Sequence, residues 1–330
     1  MLKFFKQSYI AQFVVIVLLL VALWIPVFIS HVSEVAVGSP TTPLYNVIAD
    51  VLGSSSLAMT IVAFVVLGTS VFFFNSMMSV NQLVTRNSSI GAFVFVLCLS
   101  VAPIQDEFYP FLLACPFIMI VMQTVYLIYQ VEKTEAYLMN AGFFLAVASM
   151  FYFPSIILIF WVLLAMLIMN IRKPKHYLIP VLGFLFPYFI LFVCFFFNKT
   201  LIDSTRDYLL AFKELGFERF EIRTFEAIVL AAVFVVFTFS LLIIRSENAD
   251  NSVATRKKVT VTIWLFVFSF LMLFMQKPVM CNGLIFIVSA ILFSMALCYI
   301  KKTKIIDIVL LVILLVLIAN QYLPLFGVKI

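Results

Sequence analysis

The sequence predicts an all-α fold: a polytopic transmembrane helical bundle of about eleven spans, with its N-terminus in the cytoplasm. Three observations carry this. Hydrophobic residues make up 65% of the 330-residue chain and charged residues 11%, against about 45–50% and about 25% in a soluble domain. The apolar residues fall in repeated runs approaching the roughly 20 that a helix needs to cross a bilayer. Basic residues concentrate in alternate gaps between those runs, the pattern that sets topology. Helices are expected because lipid offers the backbone no hydrogen-bond partner, and the runs are too long and continuous for barrel strands.

In chain order, the first span is Ile10 to Ile29, followed by a polar loop through Ser54. The second is Leu57 to Met78 and the third Ile90 to Ala102, which Ser88 and Ser89 extend slightly. The fourth, Phe111 to Tyr129, follows the turn VAPIQDEFYP, where two prolines and two carboxylates stop a membrane helix. The fifth, Tyr137 to Phe153, and sixth, Ser155 to Ile171, form a hairpin with almost no loop. Pro154 suits its turn, since proline fits the first position of a helix. The seventh is Leu178 to Phe197, which Pro180 and Pro187 should kink; the eighth is Phe225 to Ile244. Val259 to Met275, Asn282 to Ile300 and Ile305 to Tyr322 complete the set.

With the N-terminus inside and strict alternation, 14 of the 21 Lys and Arg fall on the cytoplasmic side, including Lys6, Lys173, Lys175, Lys257 and Lys258. Of the 15 acids, 10 fall outside, although acids weigh little in this rule. The chain divides into a front module, residues 1–245, a polar cytoplasmic linker, 246–258, and a three-span C-terminal module, 259–330. The net charge of +6 is explained by these short loops, so no nucleic-acid partner is expected. The five cysteines form no CxxC or Cys/His cluster and read as packing residues. The run after MLKFFKQ resembles a signal sequence, but its length favours an uncleaved first helix.

Phosphate-binding glycine loops, HExxH and nucleophile elbows are missing from the sequence. His31 and His176 are explained by interfacial solvation and a basic loop. Intramembrane acids are scarce, against a proton relay. Gly142, Ala146 and Ser149 mark a face for close helix approach, and polar residues such as Asn75 and Asn282 suit interhelical hydrogen bonds. The external carboxylates remain. Glu34, Asp50, Asp106 and Glu107 gather at the outer ends of the first four spans. Such a group serves as a general base, or as a hard oxygen ligand for a divalent metal ion beside a lipid phosphate. Arg206, Arg219 and Arg223, in the amphipathic external segment 198–223, are candidates to neutralise that phosphate. The plainer reading is that solvated loops contain acids.

From Ile10 to Phe197 the order of features resembles the front module of the C-superfamily glycosyltransferases, membrane enzymes that use lipid-linked sugar donors. The external loop carrying Asp50 (or Glu34), the second loop carrying Asp106 and Glu107, and the hairpin NAGFFLAVASMFYFPSIILIFWVLLAMLIM carry the likeness. It implies Asp50 as catalytic base, with Asp106 and Glu107 binding metal or acceptor. The first external loop is short, and the extended external domain of many such enzymes is missing. The whole chain also resembles an uncharacterised polytopic inner-membrane family of Bacteroidota, through Asn81 with its following basic turn, the paired acids and FYFPS. That implies an envelope role.

The sequence therefore leads to a bacterial inner-membrane protein in contact with membrane lipids. The first expectation is a transferase moving a sugar from a polyprenyl-phosphate donor at the periplasmic face. The second is a non-catalytic scaffold bound to other envelope membrane proteins, and the third a transporter.

Overall fold

The computed structural model describes residues 2–6, 10–30, 42–52, 56–85, 88–101, 109–130, 134–171, 173–197, 224–246, 252–275, 282–300 and 304–322. Among these residues every regular element is helical. The helices are α1 (Leu2–Phe5), α2 (Ile10–Ser30), α3 (Pro43–Leu52), α4 (Ser56–Val80), α5 (Ile90–Val101), α6 (Pro110–Leu127), α7 (Glu135–Phe151), α8 (Leu158–Ile168), α9 (Lys175–Phe197), α10 (Thr224–Ser246), α11 (Val253–Leu273), α12 (Leu284–Tyr299) and α13 (Lys304–Tyr322). Six of them, α2, α4, α6, α9, α10 and α13, are long and apolar enough to cross a membrane, which marks a multi-pass membrane protein. Shorter apolar helices, α5, α7, α8 and α12 among them, complete the bundle.

The packing follows from which residues are small. Helix α12 lies between α5, α10 and α11 and is buried over nearly its whole length. Helices α6, α7 and α9 pack side by side, and α7 meets α9 most closely at Gly142 and Gly183. A β-carbon on Gly142 would collide with the Pro180 carbonyl, and one on Gly183 with the Met139 carbonyl. This backbone approach is the membrane use of small residues. Two turns on, Ser149 Oγ and Tyr188 Oη share a hydrogen bond of 2.8 Å. The opposite face of α9, with Leu182, Phe189 and Phe196, is exposed, as a lipid-facing surface should be.

Several boundaries differ from the sequence reading for local reasons. Pro154 opens a 3-10 turn, Phe153–Ile157, before α8 begins. Ser88 and Ser89 do not lengthen α5. Their hydroxyls, with the Ser89 amide, donate to the Phe5 carbonyl and close the end of α1. The polar stretch before the ninth predicted span is helical from Val253, because Ser252 caps α11 by accepting from the Thr255 amide at 3.2 Å. Pro180 and Pro187 lie inside a continuous α9. In α2, Pro26 leaves the Ala22 carbonyl without its usual donor, four residues earlier. Tyr322 of α13 fills that place, its hydroxyl donating to Ala22 O at 2.7 Å.

Candidate functional site

Of the residues singled out above, Asp50 is described; Glu34, Asp106, Glu107, Arg206, Arg219 and Arg223 lie outside the described residues. Asp50 sits near the end of α3, a helix inside what the sequence suggested was a polar loop. Pro43 occupies its first position. Thr42, just before, is buried and donates its hydroxyl to the Phe151 carbonyl at the end of α7, 2.8 Å away. Tyr45 is buried, and Leu44, Ile48 and Leu52 lean on the core. The exposed face then falls at Val47, Asp50 and Val51, by helical spacing. Among the described residues Asp50 has no hydrogen-bond or ion-pair partner.

The same end of α7 receives the start of α6. Tyr152 meets Phe111 edge to face at 5.4 Å, and Phe151 stacks on Phe117 at 5.6 Å. Tyr109, two residues beyond Glu107, is buried. The start of α6, which follows the paired acids, and the helix carrying Asp50 thus meet at one end of α7, at Phe151 and Tyr152. Among the described residues no group of three or more His, Cys, Asp or Glu is placed to hold a metal ion.

The opposite end of the bundle is organised by lysines. Helices α4 and α8 both terminate in a left-handed residue, Gln82 (φ 56°) and Asn170 (φ 71°). In each, an amide bonds five residues back, Leu83 N to Met78 O at 3.0 Å and Ile171 N to Met166 O at 3.1 Å, the Schellman arrangement. The residue before the left-handed one is Asn81 in α4 and Met169 in α8. Two adjacent lysines of α11 take those two carbonyls. Lys258 Nζ donates to Asn81 O at 2.9 Å, with Asn81 Oδ1 at 3.4 Å. Lys257 Nζ donates to Met169 O at 3.4 Å and lies 4.6 Å over the Tyr129 ring. A third, Lys6, donates to Cys298 O and Ile300 O at the end of α12. Cations at helix C-termini complement the macrodipole. Lys258 is 1% exposed, and burial pushes its ammonium down to about 8. His176 Nε2 pairs with Glu135 at 3.4 Å, and its Nδ1 lies 3.4 Å from the Thr134 hydroxyl.

Sequence reasoning counted Lys257 and Lys258 only as loop charges. The missed signal is periodic: Lys258 stands in register with Val261, Thr262, Leu265, Ser269 and Met272, all buried. The same stripe makes two further polar contacts, Tyr126 Oη with Thr262 Oγ1 at 2.7 Å, and Trp161 Nε1 donating to Val261 O at 3.0 Å. These two contacts join α11 to α6 and to α8.

No family model, no curated protein and no solved structure matches this chain.

Proposed function

We propose that this chain is an eleven-span bacterial inner-membrane transferase, N-terminus in the cytoplasm, that moves a sugar from a polyprenyl-phosphate donor at the periplasmic face. One observation supports the reading above the others. The helix carrying Asp50 and the start of α6, which follows Asp106 and Glu107 in the chain, are seated on the same end of α7. Asp50, exposed and unpaired among the described residues, is then the base that takes the acceptor hydroxyl's proton. Asp106 and Glu107 would be the residues to hold a divalent metal, which would supply charge to stabilise the departing polyprenyl phosphate. Arg206, Arg219 and Arg223 offset the charge of that phosphate. The orientation is favoured by the charge alternation along the sequence. It is also favoured by the gathering of Lys6, Lys257 and Lys258 at the end of the bundle opposite α3.

The test uses inverted and right-side-out membrane vesicles given a radiolabelled short-chain polyprenyl-phosphate hexose. Wild type should transfer label only where the α3 side meets the donor. Asp50→Asn should lose about 100-fold or more, the usual contribution of a general base. Wild-type turnover by Asp50→Asn removes that residue from the mechanism. A reporter fused after Asp106 that reads as cytoplasmic overturns the orientation.

A second reading, a non-catalytic subunit of an envelope assembly, is favoured by the company Asp50 keeps. Val47 and Val51 are exposed beside it, an apolar and acidic face suited to a membrane-protein partner. Donor binding without transfer by any variant, together with co-purification lost in Val47→Lys, selects this alternative.

A further inference from the structure

The turn joining α8 to α9 forms an open groove at the lysine end of the bundle. It is lined by Leu167, Asn170, Ile171, Pro174 and Tyr177. From this groove we infer a binding site for the phosphate headgroup of an anionic phospholipid.

The groove has the two-sided character that such a ligand requires. Leu167 and Leu178, each more than 60% exposed, continue from it along the lipid-facing flank, where acyl chains would lie. Its polar part carries donors and cations. The Asn170 side chain is exposed and has no partner among the described residues, so its amide is available to a phosphate oxygen. Lys173 and Lys175 flank Pro174 and are exposed. Lys257 adds a half-buried ammonium one peptide group from Asn170, held at Met169 O. Among the described residues no carboxylate lines the groove; Glu135 is turned to His176.

Helix C-termini ordinarily repel anions, and α8 ends here. Its terminal carbonyls are already occupied: Leu167 O by the Asn170 amide, Met166 O by the Ile171 amide and Met169 O by Lys257. Tyr177 Oη donates to Ile171 O at 2.9 Å and fixes the turn against the start of α9. The ionised side chains placed around the turn are then the lysines Lys173, Lys175 and Lys257. Basic pockets beside membrane helices bind anionic lipid headgroups.

The site is tested by native mass spectrometry of the full chain released from vesicles of equal phosphatidylglycerol and phosphatidylcholine. Wild type should retain a phosphatidylglycerol adduct in clear excess over phosphatidylcholine. The double variant Lys173→Glu/Lys175→Glu should lower that adduct about tenfold or more, the loss of roughly 1.4 kcal/mol or more. Asn170→Gly, which tolerates the left-handed backbone, should lower it by a smaller factor without disturbing folding. The control Lys3→Glu/Arg245→Glu makes the same change in net charge at exposed positions elsewhere and should leave the adduct intact. Three results would overturn the site: no phosphatidylglycerol preference in wild type, wild-type retention by both groove variants, or equal loss in the control.

Discussion

Helices α12 and α13 have nearly the same hydrophobic character and opposite fates. Helix α12 is buried on every side, whereas α13 buries only Leu310 and Leu317. In a lipid solvent apolarity does not choose between these places, because hydrocarbon is as good an environment for leucine as another helix. What differs is side-chain size. The centre of α12 carries Ser289, Ala290, Ser294 and Ala296, which let α5, α10 and α11 come close. Most of α13 is an unbroken series of Ile, Val and Leu after Asp307. It is fastened at its ends: Asp307 Oδ1 accepts from the Leu2 amide at 2.6 Å, and Tyr322 donates to Ala22 O. A central helix is held by its shape and a peripheral one by polar clasps.

Six substitutions probe this contrast, each read as the change in unfolding free energy of purified protein in mixed micelles. The largest effect is expected where backbone touches backbone. Gly142→Ala should destabilise by about 3 kcal/mol, because the added carbon meets the Pro180 carbonyl and neither helix yields cheaply. A change below about 0.5 kcal/mol there would deny that small residues set the spacing. Next, Ala290→Leu and Ser294→Leu in α12 should each cost about 2 kcal/mol by overpacking, although both raise hydrophobicity. Stabilisation by either would break the distinction between centre and rim. Tyr322→Phe, which deletes one clasp of α13, should cost about 0.6 kcal/mol, the average for a hydrogen bond between membrane helices. It should not alter the α7–α9 pair. Finally, Val312→Ala and Val316→Ala, at exposed positions of α13, should change stability by less than about 0.5 kcal/mol.

The long apolar runs were legible because lipid imposes a length, and Gly142 and Ser149 were legible because small or polar residues inside such runs have few other uses. The short helix α3 was not read from its residues, since ten residues with Asn46 and Asp50 among them look like loop. Its signal was the spacing of Leu44, Tyr45, Ile48 and Leu52 behind Pro43. Lys258 was hidden for a different reason. Charge in a gap between spans has a topological explanation at hand, which conceals a structural one. Asp50 was legible as an acid in the polar stretch after the first span, but its seat on α7 depends on Thr42 reaching a carbonyl 109 residues away, a contact no local pattern encodes.

The adjacency of Lys257 and Lys258 fixes a zero mark for α11. Each amine serves a different neighbour, so the helix cannot slide or turn to improve one bond without spoiling the other. One extra residue inserted just after Lys258 would rotate everything beyond it by about 100°. Thr262, Leu265 and Ser269 would then face the wrong way while both caps stayed in place. Length changes in this helix should therefore be tolerated ahead of Lys257 and rejected behind Lys258.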